Sequence, residues 1–209
     1  MSALLSEQRG HALWLTLNRP EYKNLLNAEL FVALAEAWDE ARNNHDIRVV
    51  VLTGAGDEDF CCGGDLGGVI PLWTGARQPE TEIEEKLLAD PMIVDKVMLK
   101  QEPLFKPIIG AFNGRALGGG CELLQATDVR IAAEHALFGL PEPKSGIAPG
   151  AGTMVRLTRQ ISYAHAMKML MTGEPIDAKT ALDYGLISEV LPKDRLLMRA
   201  EEMADRIAA

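Results

Sequence analysis

The sequence predicts an α/β fold, because apolar strand-like stretches alternate along the chain with stretches of helical spacing. Residues 11–17 alternate in polarity and end in a loop at 18–20, which predicts a strand. A helix with Asn27 as its N-cap follows, and residues 48–53 are predicted to form a strongly apolar, buried strand. The same strand–helix–strand order returns over residues 107–132. We therefore expect buried strands covered by amphipathic helices.

The later segments are assigned by the same patterns. Residues 70–102 are rich in proline and glutamate and interrupt the alternation, which predicts an insertion over a functional site. A mobile lid and a solvated connecting helix both fit this composition. Residues 154–172 are predicted to form one helix, and residues 177–184 a second helix that Gly185 ends. Residues 186–191 are predicted as the last strand.

The composition is typical of a globular protein. With 209 residues, 47% of them hydrophobic, the chain can form a single domain over 1–209 with a sizeable core. The formal net charge of −9 argues against a nucleic-acid partner, and no segment approaches the apolar length that a membrane span needs. Cys61, Cys62 and Cys121 match neither a disulfide framework nor a metal-ligand spacing. We therefore expect a reduced, cytoplasmic protein without a bound metal.

The most informative motif is a glycine-rich turn at residues 114–122. It joins a strand-like stretch at 106–112 to a helix-like stretch at 121–126. Three consecutive glycines at 118–120 leave backbone N–H groups unshielded, and the following helix contributes partial positive charge. Glu122 lies on the first turn of that helix. Such a turn suits the stabilisation of a developing negative charge beside a proton-transfer group.

A second carboxylate follows Glu122 by twenty positions. Glu142 lies between Pro141 and Pro143, which stiffen its backbone, and a predicted strand at 128–132 separates the two glutamates. A reverse connection after that strand would return Glu142 to the region of Glu122. Two glutamates across one cavity can move protons on and off carbon and water. The spacing alone leaves open that both are surface residues of an acidic protein.

Another small-residue turn follows the buried strand, at residues 60–66. One N–H group from this turn and one from the turn at 118–120 would together form a two-donor oxyanion hole. The glycines at 54–56 do not predict a dinucleotide site, because a third glycine is missing and residues 57–59 are acidic. The cysteines of the turn are interpreted as packing residues.

The chain resembles the crotonase, or enoyl-CoA hydratase/isomerase, superfamily over nearly its whole length, and the matching motifs occur in that family's order. The segments that carry the resemblance are residues 18–24, 60–66, 106–122, 136–152, 172–178 and 181–192.

The resemblance implies a fold and a set of catalytic residues. The fold would be a spiral of repeated ββα units. Gly64 and Gly119 match the two N–H donors that hold the thioester oxygen of an acyl-CoA, and Glu122 and Glu142 match the glutamate pair of the hydratase branch. In such a site Glu122 would activate the water that attacks Cβ, and Glu142 would protonate Cα.

The resemblance also implies a path for the coenzyme A (CoA) part of the thioester. CoA would belong to the substrate, so no separate cofactor is expected. Residues 70–102 would shape the acyl pocket, with Trp73, Met92, Met98 and Leu99 as candidate lining residues. The residues expected along the CoA path are Arg19, Lys23, Leu25, Cys62, Asp65 and Leu66.

Three features depart from the family's usual pattern. Leu25 replaces a small residue, and the run at 150–154 differs from the usual Gly-Ala-Gly-Gly-Thr. The chain stops at Ala209, where family members continue into C-terminal helices. Either those helices lie outside this chain, which we favour, or the protein assembles differently. By analogy with the family, the protein is expected to be a homotrimer or a dimer of trimers.

Three kinds of function remain open at this point. The first is reversible hydration of a 2-enoyl-CoA, which the retained glutamate pair favours. The second is double-bond isomerisation or another crotonase-type acyl-CoA reaction, since isomerisation needs proton transfer but no attack by water. The third is acyl-CoA binding without turnover.

Overall fold

The strands form two sheets in this computed structural model, which describes residues 2–100 and 104–209. The larger sheet consists of β1 (Leu4–Arg9), β2 (Ala12–Leu17), β3 (Val49–Gly54), β5 (Ile108–Phe112), β7 (Val129–Ala133) and β10 (Glu189–Leu191), in that order across the sheet. Only the β1–β2 pair is antiparallel. The smaller sheet consists of β4 (Asp59–Cys61), β6 (Arg115–Leu117), β8 (Leu137–Gly139) and β9 (Ile176–Asp177), and only β8–β9 is antiparallel.

Helices follow successive pairs of strands. The helices are α1 (Ala28–Asn43), α2 (Leu66–Trp73), α3 (Glu82–Ala89), α4 (Ile93–Val97), α5 (Gly119–Leu124), α6 (Thr153–Gln160), α7 (Tyr163–Thr172), α8 (Ala178–Asp183) and α9 (Lys193–Ala208), with 3-10 turns at Pro20–Tyr22 and Glu142–Ser145. The units β3-β4-α2, β5-β6-α5 and β7-β8-α6 each give one strand to the larger sheet and the next to the smaller sheet. This is the spiral of ββα units that the resemblance implied.

The core lies between the two sheets and under the helices. Phe60, Phe112 and Phe138 come from three strands and stack edge to face, with ring centroids 4.7 and 6.1 Å apart. The opposite face of the larger sheet is covered by α9, whose apolar stripe begins at Leu196 and recurs every four residues through alanine. Because strands such as β3 are buried on both faces, they are continuously apolar in sequence.

Several element predictions are confirmed and others are wrong. Asn27 caps α1 by accepting a hydrogen bond from Leu30 N at 3.0 Å. The predicted single helix at 154–172 is two helices, because Ile161 is extended and Ser162 starts α7 as its N-cap. Its hydroxyl accepts a bond from the His165 N–H group.

The predicted strand at 186–191 is shortened at its start. The N–H groups of Leu186 and Ile187 both point to the carbonyl of Ala181, so these two residues close a turn after α8. The predicted insertion at 70–102 contains the end of α2, all of α3 and all of α4. Its last two residues, 101 and 102, lie outside the described residues.

Candidate active site

Two glycine turns, one at the end of β4 and one at the end of β6, lie against each other. Gly63 and Gly118 have φ angles of +99° and +54°, which residues with a side chain rarely adopt. A methyl group placed on Gly63 would lie 3.3 Å from Gly119 N, and one placed on Gly119 would lie 3.7 Å from Gly64 N. The turns that the sequence singled out are therefore neighbours in space.

In the first turn, the Gly64 N–H points away from Leu26, the residue with which this turn pairs. Leu26 N donates to Gly63 O, and Asp65 N donates to Leu26 O, both at 2.9 Å. This parallel bridge uses the groups on either side of Gly64, so the Gly64 N–H points to the opposite side. Gly119 is the first residue of α5, and its N–H has no acceptor within the helix. Two backbone donors are thus available beside one space.

Glu122 is buried on the first turn of α5. The residue is only 4% exposed, and its Oε1 accepts a hydrogen bond from Thr153 N at 3.2 Å. Burial and the nearby Glu142 carboxyl together raise the pKa of Glu122 to about 7, although the N–H groups of Thr153 and Ala151 favour the charged form. Near neutral pH this carboxyl can both lose and accept a proton.

Glu142 begins the 3-10 turn after β8 and reaches the same glycine turn. Its Oε1 lies 3.1 Å from the position that a methyl group on Gly118 would take. Its Oε2 is buried and has no hydrogen-bond partner among the described residues. Burial raises the pKa of Glu142. An unpaired, buried carboxyl oxygen favours the protonated form, so this group is suited to be an acid.

One side of the space is bordered by the segment that follows α4. The terminal methyl of Met98 lies 3.7 Å from the position of a methyl on Gly119. Arg156 on α6 donates to the carbonyls of Met98 and Leu99, both at 2.7 Å. Of the predicted lining residues, Met98 therefore lies beside the glycine turns. Trp73 packs edge to face on Phe31, with ring centroids 5.5 Å apart.

Met92, Leu99 and Trp73 differ in how far they reach the surface. Met92 and Trp73 are partly open to solvent, at 39% and 40% exposure, whereas Leu99 is buried. Leu99 also has a left-handed backbone, with φ +50°. None of these facts assigns the acyl pocket, which stays a prediction.

The residues predicted along the CoA path belong to two adjacent segments. Cys62 N donates to Lys23 O at 3.1 Å, which places the first segment beside the 60–66 turn. Arg19 donates to the carbonyl of Leu25 at 2.6 Å and lies 3.5 Å from Asp65 Oδ2. Arg19 therefore already has partners within the chain.

The other members of that group are more open. Lys23 is exposed and has a left-handed φ of +53°, and Leu66 is 58% exposed at the start of α2. Leu25 is half-buried. The Cys62 thiol donates to Asp59 Oδ1 at 3.1 Å.

The cysteines of the 60–66 turn were predicted to be packing residues. Burial raises the pKa of Cys61 to about 12 and, with help from Asp59, that of Cys62 to about 12, so neither thiol is a ready nucleophile. All three cysteines are free.

Within 2–100 and 104–209, no cluster of three or more His, Cys, Asp or Glu side chains has the geometry to hold a metal. In the same ranges no helix has the length and apolarity needed to cross a bilayer.

The sequence reasoning missed the residues that support Glu122. Thr153 supplies its hydrogen bond, and Gln125 bonds to the Thr153 hydroxyl at 2.8 Å. Arg156 was also missed. The departure of 150–154 from the usual pattern was a signal for Thr153, but its contact with Glu122 depends on a fold contact between α5 and α6.

Together, two backbone donors, the buried Glu122 and the half-buried Glu142 form a candidate site suited to acid–base chemistry in which a carbonyl oxygen gains negative charge. The chain belongs to the enoyl-CoA hydratase/isomerase family, whose sequence model matches residues 7–209.

Characterised relatives support this assignment. The chain is 42% identical to the enoyl-CoA hydratase EchA19 of Mycobacterium tuberculosis, over 98% of this chain and 74% of that protein. It is 41% identical to the (E)-benzylidenesuccinyl-CoA hydratase of Thauera aromatica, over 97% of this chain and 75% of that protein.

Solved structures agree with the sequence comparison. The enoyl-CoA hydratase of Bacillus anthracis superposes with a TM-score of 0.85 at 37% identity, covering 99% of this chain and 76% of that one. The carnitinyl-CoA hydratase of Mycobacterium avium superposes with a TM-score of 0.86 at 37% identity, covering 99% and 75%. The fold is therefore that of the crotonase superfamily, and the chain spans about three quarters of these relatives' length.

Proposed function

We propose that this protein is an enoyl-CoA hydratase, which reversibly adds water across the 2,3 double bond of an enoyl-CoA thioester. The observation that carries the proposal is the meeting of the Gly64 and Gly119 turns beside the buried Glu122 and the half-buried Glu142. Relatives at 42% and 41% identity that are named as hydratases support it.

The oxyanion hole handles the difficult part of this reaction. When water attacks C3, the π electrons of the double bond move towards the thioester carbonyl and form an enolate. The N–H groups of Gly64 and Gly119 would donate to that oxygen, and each such donor contributes about 3–4 kcal/mol to transition-state stabilisation. The reaction uses the polarised thioester, so the protein has only to bind the developing charge and move protons.

The two carboxyls divide the proton transfers. Glu122 would take a proton from water as the C3–O bond forms, since its pKa of about 7 leaves much of it ionised at neutral pH. Glu142 would give a proton to C2 as the enolate collapses and the C2–H bond forms. Exchange with solvent then restores both groups. Dehydration follows the same path in reverse, with the acid and base roles exchanged.

The proposal is tested with the purified protein and a panel of 2-enoyl-CoA thioesters of differing chain length. We expect loss of the conjugated absorbance together with a mass gain of one water, and no such change with the Glu122→Gln variant. Migration of the double bond at unchanged mass would replace this proposal with isomerisation. Binding of the thioesters without any turnover would replace it with a non-catalytic function.

We further propose that the reaction needs no cofactor, because CoA is part of the substrate. The proposed roles of Gly64, Gly119 and the two glutamates account for each step with groups of the chain. Activity should survive exhaustive dialysis against a chelator. Loss of activity that a divalent metal restores would contradict this part of the proposal.

Assembly into a homotrimer or a dimer of trimers, in the cytoplasm, is also proposed. An apolar groove of about 500 Å³ lies along α6 and α7, where Tyr163 and Met171 are 68% and 72% exposed. Large exposed apolar areas favour self-association. Three free cysteines fit a reducing compartment. Sedimentation of the purified protein and fractionation of cells check the two statements.

A further inference from the structure

Two buried polar side chains next to the proposed base bond to each other. The Thr153 hydroxyl donates to Gln125 Oε1 at 2.8 Å, and the two residues are 0% and 2% exposed. The backbone N–H of the same Thr153 donates to Glu122 Oε1 at 3.2 Å. One residue therefore connects the carboxyl of Glu122 to a polar side chain that has no part in the reaction described above.

Gln125 holds helix α6 at both of its ends. Its side-chain oxygen accepts from Thr153, the first residue of α6, and its backbone carbonyl accepts from Nε2 of Gln160, the last residue, at 2.9 Å. Gln160 is itself held by Arg130 on β7, also at 2.9 Å. Because Gln125 directly follows α5, these bonds fix α6 relative to the helix that carries Glu122.

We propose that the Thr153–Gln125 hydrogen bond positions the Thr153 N–H against Glu122, so that Glu122 is held as a base. Both are positioning residues, and the inference rests on the proposed function. The entry to α6 needs such a tie, since the residue before Thr153 is Gly152 with φ +121°, a backbone that imposes little restraint. A hydrogen bond to a charged carboxylate loses strength quickly as its distance and angle worsen.

Several charged or titratable groups surround Glu122 and also act on its pKa. Glu142 approaches from the 3-10 turn, Lys100 from the segment after α4, Arg156 from α6, and Cys121 is its neighbour on α5. Substitution of Thr153 or Gln125 changes none of these groups. It weakens a donor that favours the charged form, so the pKa of Glu122 should rise.

The test is an infrared titration of the Glu122 carboxyl, with each spectrum subtracted from that of the matching Glu122→Gln protein. Thr153→Val and Gln125→Met should each raise the titration midpoint by about 0.5–1 pH unit, and kcat/KM at pH 6 should fall about 3- to 10-fold. At pH 9 kcat/KM should stay within about twofold of the wild-type value. Thr153→Ser keeps the hydroxyl and should restore the wild-type midpoint.

Two further variants separate positioning from folding. Thr153→Val leaves the Gln125 oxygen without a donor, whereas the double variant Thr153→Val/Gln125→Met removes both polar groups and should show a similar shift. Gln160→Met removes the bond at the far end of α6 and should lower the Tm without moving the midpoint.

An unchanged midpoint in the folded Thr153→Val, Gln125→Met and double variants would overturn the proposal and leave the pair a role in stability alone. The titration does not depend on turnover. If the wild-type protein hydrates no enoyl-CoA, the proposed function fails while the titration still decides whether this pair controls Glu122.

Discussion

The first turn of α5 and the 3-10 turn after β8 each bring one glutamate to the same glycine turns, but they surround the carboxyl differently. Glu122 is buried with a backbone N–H donor at its Oε1, whereas Glu142 has a buried Oε2 with no partner among the described residues. Burial raises the pKa of both. The donor favours a charged Glu122. At Glu142 the orphaned Oε2 favours the protonated form, although the residue's own backbone N–H favours the charged form. We propose that these different surroundings make a base of Glu122 and an acid of Glu142.

The largest effect should come from blocking the proposed oxyanion hole, which both glutamates would serve. A methyl on Gly119 would meet its neighbours at 3.6–3.7 Å, which is ordinary contact, so Gly119→Ala should fold. That methyl would occupy the space beside Gly64 N, and turnover should fall by at least about 10³-fold. Steady-state kinetics and thermal unfolding together check this. An active, folded Gly119→Ala protein would remove Gly119 from the hole.

The second-largest effect should come from replacing the proposed base, Glu122, and a surface glutamate serves as its control. Glu122→Gln should lower hydration by at least about 10²-fold, because the amide cannot accept a proton from water. Glu134, an exposed glutamate on the loop after β7, provides the matched control, and Glu134→Gln should leave turnover unchanged. Near-normal hydration by Glu122→Gln would withdraw the role given to Glu122.

Glu142→Gln should also lower hydration by about 10²-fold or more, and a second assay distinguishes it from Glu122→Gln. A saturated acyl-CoA cannot lose water, so deuterium exchange at its Cα in D₂O depends only on the group that moves the Cα proton. Glu142→Gln should lose this exchange, whereas Glu122→Gln should keep it within a few-fold. The opposite pattern would exchange the two assignments.

The pH dependence of kcat/KM for hydration follows from the same division. Glu122 must be ionised to accept a proton, and its pKa is about 7, so kcat/KM should fall tenfold per pH unit below that value. An acid limb in the ordinary glutamate range, near about 4–5, would show that the base is not a buried carboxyl with a raised pKa.

The smallest expected effect is on stability. The pKa of Glu122 is raised from 4.5 to about 7 in the folded protein, so its contribution to stability is present below pH 4.5 and is lost as the pH rises through 7. At pH 8, Glu122→Gln should therefore be more stable than wild type by on the order of 1–3 kcal/mol. At pH 4.5 the difference should vanish. Thermal unfolding at both pH values decides this, and equal stability at pH 8 would show that the carboxylate carries no penalty there.

Much of this fold follows from local patterns in the sequence. The apolar strands and the Asn27 cap depend on residues close together in the chain, and they were predicted. The edge strand β1 (Leu4–Arg9) was missed because its residues beyond Leu4 are exposed and those after Leu5 are polar. The break at Ile161 was missed because Ile161 continues the helical spacing while packing, extended, at the edge of the core.

The residues of the candidate site were also predicted only in part. The glycine turns and both glutamates stood out in the sequence, since three consecutive glycines follow a strand-like stretch and prolines flank Glu142. Their roles stay predictions, although the fold brings them together. The bond between Thr153 and Gln125 could not be predicted, because it joins the residue after α5 to the first residue of α6, 28 positions apart. Neither residue has a distinctive sequence signal, and the two meet only in the folded structure.

The central claim is that surroundings set Glu122 and Glu142 apart as base and acid. The most direct test is a titration of the wild-type carboxyls by infrared spectroscopy, assigned by subtracting the spectra of Glu122→Gln and Glu142→Gln. We expect the Glu122 carboxyl to titrate at about pH 7 and the Glu142 carboxyl to titrate above the ordinary glutamate range. Two carboxyls that both ionise near about pH 4–5, as in water, would contradict it.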